Sequence, residues 1–271
     1  MTKILLFTLR KGGIGKTTLS TNQAILFAQK GKTLLIDLDP QANVITQFGY
    51  DPYKGSFKTI ENLAKGDCKL ENCIVTSKKH GVENLDIIPA NFMLKDYYED
   101  KPKQPYKSIL RQISLLKKSN KYDYIIIDTN PDWNELISFI IQISDAVCIP
   151  FIPEPNANWA TLEFINEILP SIRDLGHDTK AFVIPNRFKI KKRKGEIIED
   201  RAYQFVMELQ KQINKTKDKN IFVAPAINNS EQYANAVAFD KKPLVFVKGI
   251  KAYNNPRKQQ KELNNFISER I

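Results

Sequence analysis

The chain has 271 residues, of which 42% are hydrophobic and 26% charged. That is ordinary globular composition, and it excludes a largely disordered or collagen-like chain. The formal charge is +11, with +4 from residues 1–150 and +7 from 151–271, a surplus that attracts polyanions such as nucleic acid or an anionic membrane face.

Continuous apolar runs predict buried strands at Ile4–Leu9, Thr33–Asp37, Leu85–Pro89, Tyr124–Asp128, Ala146–Pro150, Ala181–Pro185 and Ile221–Pro225, as a parallel sheet covered on both faces requires. Amphipathic stretches between them predict helices at Thr17–Gln29, Tyr106–Leu116, Trp133–Ser144, Asn158–Leu175, Glu196–Lys215, Ser230–Phe239 and Asn254–Arg270. The alternation predicts an α/β fold: a single doubly wound, mostly parallel sheet with helices on both faces. Residues 50–82 and 95–105 read as irregular decoration, and with no Gly/Ser linker or repeat the chain reads as one domain, 1–271. No apolar run reaches the roughly 18–20 residues of a membrane span, and the start is not a secretory signal. Three cysteines (Cys68, Cys73, Cys148) without a C-x-x-C pair argue against a disulfide scaffold or zinc ribbon and for a reducing cytosol. Two histidines, His80 and His177, argue against a histidine metal site.

In such sheets ligands bind at the carboxyl ends of strands. There the first strand meets Lys11-Gly12-Gly13-Ile14-Gly15-Lys16-Thr17-Thr18, which opens the first helix. Small residues let backbone N–H groups approach a triphosphate, and the helix N-terminus adds a favourable dipole. Lys16 supplies charge to the β- and γ-phosphates, and the Thr17 hydroxyl can ligate Mg²⁺. An ordinary P-loop has glycine where this chain has Arg10, and a second lysine, Lys11, precedes the glycines.

This segment resembles the deviant Walker A motif of the ParA/MinD superfamily of dimeric ATPases. The resemblance implies ATP and Mg²⁺ as ligands and a homodimer in the ATP state, with Lys11 reaching across to the partner's nucleotide. Asp37-Leu38-Asp39-Pro40-Gln41-Ala42-Asn43 resembles the family's switch I block. Asp39 matches the carboxylate that orients the attacking water and stands near the metal, and Asp37 belongs to the same acidic pair. Tyr124–Asp128 resembles a Walker B strand, whose Asp128 would hold Mg²⁺ through water. The catalytic set implied is therefore Lys11, Lys16 and Asp39, with Thr17, Asp39 and Asp128 at the metal. The family continues with two prolines where this chain has Asn130-Pro131-Asp132-Trp133, a departure that bears on hydrolysis rate and partner coupling. Pro185-Asn186-Arg187 resembles the family's Asn-Arg segment near adenine, where an amide can donate and accept together. A strand-end turn asparagine is the other reading of Asn186. Pro225 is a second candidate for the base pocket.

Within the superfamily, Asp39–Asn43 and Phe151-Ile152-Pro153-Glu154-Pro155 are similar to ParA/Soj-type proteins. These bind DNA non-specifically and work with a centromere-binding partner whose contact stimulates hydrolysis. Two basic clusters fit that reading. One is Arg187, Lys189, Lys191, Lys192, Arg193 and Lys194; the other includes Lys248, Lys251, Arg257 and Lys258. Clustered Lys and Arg give sequence-independent, salt-sensitive affinity for nucleic acid. The alternative is a MinD-like membrane-cycling ATPase using the stripe Leu263, Phe266, Ile267 and Ile271. Glu262 and Glu269 beside that stripe weaken attraction to anionic lipid, and such a stripe is more often docked on the core. The first strand starts at Ile4, so no N-terminal helix-turn-helix is expected, as in the short ParA subclass. A cytoplasmic, nucleoid-associated partition ATPase with slow intrinsic turnover is the expectation.

Overall fold

The structure, a computed structural model, describes all residues except 53–56, 79–80, 100–102, 133, 154, 189–191, 194–195, 198–200, 239 and 247–254. Its strands are β1 (Lys3–Phe7), β2 (Thr33–Asp37), β3 (Val75–Thr76), β4 (Leu85–Ile88), β5 (Tyr124–Asp128), β6 (Ala146–Phe151), β7 (Lys180–Pro185), β8 (Lys192–Arg193), β9 (Glu196–Ile197) and β10 (Ile221–Val223). One eight-stranded sheet has the order β10-β7-β6-β1-β5-β2-β4-β3, and β8 and β9 form a separate hairpin. Every pairing in the large sheet is parallel except that of β3 on β4. The mostly parallel sheet read from the apolar runs is therefore the fold observed, and β2 and β5 have the predicted bounds.

Both sheet faces are covered, which is why the strands are apolar throughout. Ile4 and Leu6 of β1 join a core with Ile109 and Ile113 of α6 (Lys103–Ser119) and Leu136 and Ile140 of α7 (Glu135–Ile143). The alternate residues Leu5 and Phe7 join the opposite core with Leu19 and Ile25 of α1 (Lys16–Phe27) and Leu263 and Ile267 of α12 (Pro256–Ser268). The two-residue period of a strand sends its neighbours to opposite faces. Helix α1 is buried almost continuously from Leu19 to Phe27, because the sheet lies on one side of it and α12 on another.

The remaining helices are α2 (Asn43–Gln47), α3 (Ile60–Lys65), α4 (Leu70–Cys73), α5 (Met93–Glu99), α8 (Pro155–Glu163), α9 (Leu169–Arg173), α10 (Arg201–Thr216) and α11 (Gln232–Ala238). A π-helical turn, Phe164–Ile168, joins α8 to α9, so the predicted helix Asn158–Leu175 is one run in three pieces. The stretch expected to be irregular is in fact built of short elements: α3, α4 and β3. The Thr59 amide donates to Asn62 Oδ1 at 3.0 Å at the start of α3, and left-handed Gly66 ends it. The helix expected from Glu196 begins at Arg201 instead. Glu196 and Ile197 pair with Arg193 and Lys192 across the β8–β9 hairpin. Cys68 and Cys73 form a disulfide across the four-residue α4, one local bond rather than a disulfide scaffold. Cys148 is free and buried on β6.

Helix α12 is docked, apolar face inward. Leu263 and Ile267 are fully buried, and Phe266 and Ile271 pack against the same core. Asn255 caps the helix by accepting from the Arg257 and Lys258 amides, and Gln23 of α1 donates to Gln260 Oε1 at 2.7 Å. The stripe that could have met a membrane is spent on the core. No helix among the described residues is long and apolar enough to cross a membrane.

Candidate nucleotide site

The sheet topology makes a crevice where the motifs lie. From β1 the chain runs through α1 to β2, on the far side of β5; from β5 it runs through α7 to β6, on the far side of β1. Adjacent strands whose connections leave in opposite directions open a gap at their carboxyl ends. A cleft of about 580 Å³ occupies it, lined by Gly12 to Leu19, Asp39, Thr129, Pro131, Asn186, Arg187 and a late segment from Asn228 to Val237.

The loop after β1 is held open by its own sequence. Ile14 is buried and anchors it, while Gly13 and Gly15 take the left-handed φ values 72° and 92°. A Cβ on Gly15 would collide with Asn186 Nδ2, and that nitrogen donates to the Ile14 carbonyl at 2.7 Å. Helix α1 starts at Gly15 without a side-chain cap or an acidic residue in its first turn. Its first amides and positive dipole end therefore face the cleft, an arrangement that suits an anion. Lys16 Nζ donates to the carbonyls of Lys11 at 2.7 Å and Leu9 at 3.3 Å. Burial pulls the Lys16 pKa down, and Asp128, Asp39 and Asp132 oppose that shift.

Three carboxylates converge opposite this loop. Asp37 and Asp128 are register partners on β2 and β5. Asp37 accepts the Asp39 amide at 2.9 Å on Oδ1 and the Val44 amide at 3.2 Å on Oδ2, so it shapes switch I and the entry to α2. Asp39 Oδ1 accepts the Gln41 amide at 2.9 Å. Asp128 is fully buried, and both its oxygens lack a hydrogen-bond partner among the described residues. Burial, reinforced by the neighbouring Asp39 charge, pushes its pKa up to about 7, while the nearby Thr17 and Ser20 hydroxyls pull the other way. Burial and the Asp128 charge raise Asp37 well above the ordinary carboxylate range. Burial also raises Asp39, with Lys16 opposing. An orphaned buried carboxylate beside a threonine hydroxyl fits a hard divalent cation, which takes oxygen ligands. Thr17 and Asp128 would hold it, with Asp39 nearby.

The segment after β5 starts at Thr129, whose hydroxyl donates to the Phe7 carbonyl at 3.0 Å and ties the two central strands together. Asn130 Nδ2 then donates to Asp132 Oδ2 at 3.2 Å. Trp133 lies outside the described residues.

The candidate residues therefore divide. Gly12 to Thr18, Asp39 and Asn186 line one cleft, and Asp128 lies buried beneath it near Thr17. Pro225 is not among the lining residues. The strand end is zipped to β7 here, and the wall begins three residues later at Asn228. Arg187, a candidate DNA contact, also lines the cleft, with a left-handed φ of 53°. Arg257 and Lys258 sit in the first turn of α12, and Lys258 pairs with Glu262 at 3.7 Å. Lys192 and Arg193 form β8. Lys189, Lys191, Lys194, Lys248 and Lys251 lie outside the described residues. Two residues escaped the sequence reading. Tyr98 of α5 donates to the Leu38 carbonyl at 3.3 Å, bracing switch I. Asn228 lies beyond the end of β10 and lines the cleft.

The fold and site define a P-loop nucleotide-binding domain of the doubly wound α/β class. A family model described as AAA domain matches residues 2–184. A ParA family protein of Mycoplasma pneumoniae is 25% identical over 256 residues, covering 90% of this chain and 89% of that one. The sporulation initiation inhibitor protein Soj of Bacillus subtilis is 32% identical over 174 residues, covering 64% and 66%. A plasmid partition protein of Borrelia burgdorferi has a solved structure with TM-score 0.70 and 25% identity, covering 100% and 99%. The chain belongs to this AAA-domain family, and with its relatives to the ParA/MinD superfamily of ATPases.

Proposed function

We propose that residues 1–271 work as one domain: a Mg²⁺-dependent, slowly hydrolysing partition ATPase. In this reading ATP switches it into a homodimer that binds DNA without sequence preference. The observation that carries the proposal is the pairing of an uncapped, lysine-bearing helix start in the cleft with the orphaned carboxylate of Asp128 buried beneath it. Bound Mg²⁺, held by Thr17 and Asp128, would supply positive charge to the triphosphate.

The chain's own groups do the rest. Amides from Gly12 to Thr18 cradle the phosphates, and Lys16 exchanges its bonds to Lys11 and Leu9 for phosphate oxygens. Asp39 orients and polarises water for attack. Lys11 faces a partner's triphosphate, so association is favoured while the phosphates are present and a second subunit completes the catalytic group. Asn186 sits at the base side of the phosphate loop. The basic surplus after residue 151 supplies the DNA contacts, from Arg187, Lys189, Lys191 to Lys194, Lys248, Lys251, Arg257 and Lys258. A partner bound at a centromere-like site stimulates hydrolysis and releases the DNA. The place of action is the cytoplasm, on the nucleoid. A membrane-cycling role is set aside because Leu263 and Ile267 of the α12 stripe are buried and Phe266 and Ile271 pack against the same core.

The test is binding to a random-sequence DNA duplex with no nucleotide, with ADP and with ATP–Mg²⁺, across a salt series. Tight binding with ATP–Mg²⁺ alone, falling steeply with salt, is expected. Absence of binding in all three states overturns the DNA part of the proposal.

A further inference from the structure

The peptide that joins Leu38 to Asp39 is held at both of its polar groups. Its N–H, the Asp39 amide, donates to Asp37 Oδ1 at 2.9 Å. Its carbonyl, that of Leu38, accepts the Tyr98 hydroxyl at 3.3 Å. One peptide earlier, the Leu38 amide donates to the Asp128 carbonyl of β5 at 2.9 Å. A peptide unit is planar, so fixing its N–H and its C=O sets the direction in which the chain enters Asp39. Beyond it, Asp39 Oδ1 accepts the Gln41 amide at 2.9 Å.

Asp37 and Asp128 are neighbours on adjacent strands, whereas Tyr98 stands 60 residues along the chain from Leu38. Helix α5 follows β4, which pairs with β2 in the sheet. It is seated by Leu94, fully buried in the core that also holds Leu38. The half-buried Tyr98 ring packs against the same core, 5.6 Å from the Tyr106 ring of α6. A tyrosine with its ring on the core and its hydroxyl on a backbone carbonyl is aimed by its packing. Burial, then the charges of Asp37, Tyr106 and Asp39, holds its pKa above the ordinary phenol value. The hydroxyl keeps its proton near neutrality and stays a donor. Tyr98 is not among the residues that line the nucleotide cleft.

We propose that Tyr98 is a positioning residue for hydrolysis: its hydroxyl clamps the Leu38–Asp39 peptide and so aims the Asp39 carboxylate at the attacking water. The inference rests on the reading of Asp39 as the water-orienting group, and it adds the side chain that acts through it. Nucleotide binding stays with the phosphate loop, so loss of the clamp falls on turnover. A small misplacement of a positioned group is enough to slow a reaction strongly.

The experiment follows single-turnover ATP hydrolysis by the full chain with Mg²⁺, and ATP affinity by calorimetry. The thermal midpoint is the folding control. Tyr98→Phe keeps the ring and removes only the hydroxyl. It is expected to slow hydrolysis about 10-fold while ATP affinity stays within about 2-fold of wild type. Tyr98→Met, a flexible apolar replacement, should give the same split and keeps the test decisive if the phenylalanine variant does not fold. In an Asp39→Ala background, Tyr98→Phe should slow hydrolysis by no more than about 2-fold further, because it acts through that carboxylate. Unchanged hydrolysis in a folded Tyr98→Phe beside a slow Asp39→Ala overturns the role of Tyr98 and leaves the Asp39 reading standing. A full further loss in the Asp39→Ala background, or an ATP affinity that falls with the rate, also overturns it. An Asp39→Ala variant as fast as wild type overturns the Asp39 reading and this inference with it.

Discussion

Asn186 donates a hydrogen bond to the carbonyl of Ile14, 2.7 Å away, and so ties the end of β7 to the middle of the phosphate loop. Gly15 permits that approach, since a Cβ there would meet the same Asn186 nitrogen. Its φ of 92° adds strain for any other residue. Gly15→Ala is expected to lose about 1–3 kcal/mol of folding stability and to weaken nucleotide binding. Urea denaturation and calorimetry read the two effects. A stable variant with unchanged affinity would show that the loop tolerates a wider packing.

The stacked carboxylates predict an unusual pH response of the metal-free protein. Burial raises the pKa values of Asp37 and Asp128 above the unfolded value near 3.8. The folded state then binds more protons than the unfolded state between about pH 4 and 7. Their contribution to stability is full below the unfolded pKa and is lost as pH rises through the folded one. Thermal midpoints without nucleotide or metal should show that loss, with Asp128→Asn flatter in pH and higher by roughly 2–4 °C near neutrality. A wild-type profile matched by Asp128→Asn would remove the physical basis for a buried acidic metal site.

Two lysines share one loop and are expected to fail differently. Lys16 is buried and bonded to the carbonyls of Lys11 and Leu9. Lys16→Ala should weaken ATP binding on the order of 100-fold, measured by calorimetry. Asp39→Ala should spare binding and slow hydrolysis about 100-fold or more, so that an ATP-loaded dimer accumulates. Rapid turnover in Asp39→Ala would move the water-orienting role to another group.

Helix α12 should behave as core. Leu263 is fully buried against α1 and the sheet. Leu263→Asp is expected to cost about 4 kcal/mol, seen as a lower urea midpoint. Wild type should stay in the supernatant when spun with anionic liposomes and ATP–Mg²⁺. Co-sedimentation that Leu263→Asp abolishes without unfolding would restore the membrane reading.

Much of this architecture is legible in the sequence because parallel strands covered on both faces leave unbroken apolar runs. Thr33–Asp37 and Tyr124–Asp128 end as predicted because an aspartate closes each run. The phosphate loop is legible because its chemistry depends on contiguous residues. What fails is short or non-local. Val75–Thr76 is a strand by virtue of β4 beside it. Helices α3 and α4 are too brief to show a period. Glu196 and Ile197 carry a helical pattern that cross-strand pairing overrides. The Cys68–Cys73 bond depends on α4, a helix of four residues with no period to read, and the position of Asn228 arises from chain segments brought together by folding.

Sedimentation velocity of the wild-type chain and of Lys11→Ala, each with no nucleotide, with ADP and with ATP–Mg²⁺, tests the central claim most directly. The account predicts a wild-type dimer with ATP–Mg²⁺ alone and a Lys11→Ala variant that binds ATP yet remains a monomer. A wild type that binds ATP–Mg²⁺ without dimerising, or a Lys11→Ala variant that dimerises as wild type does, would contradict it.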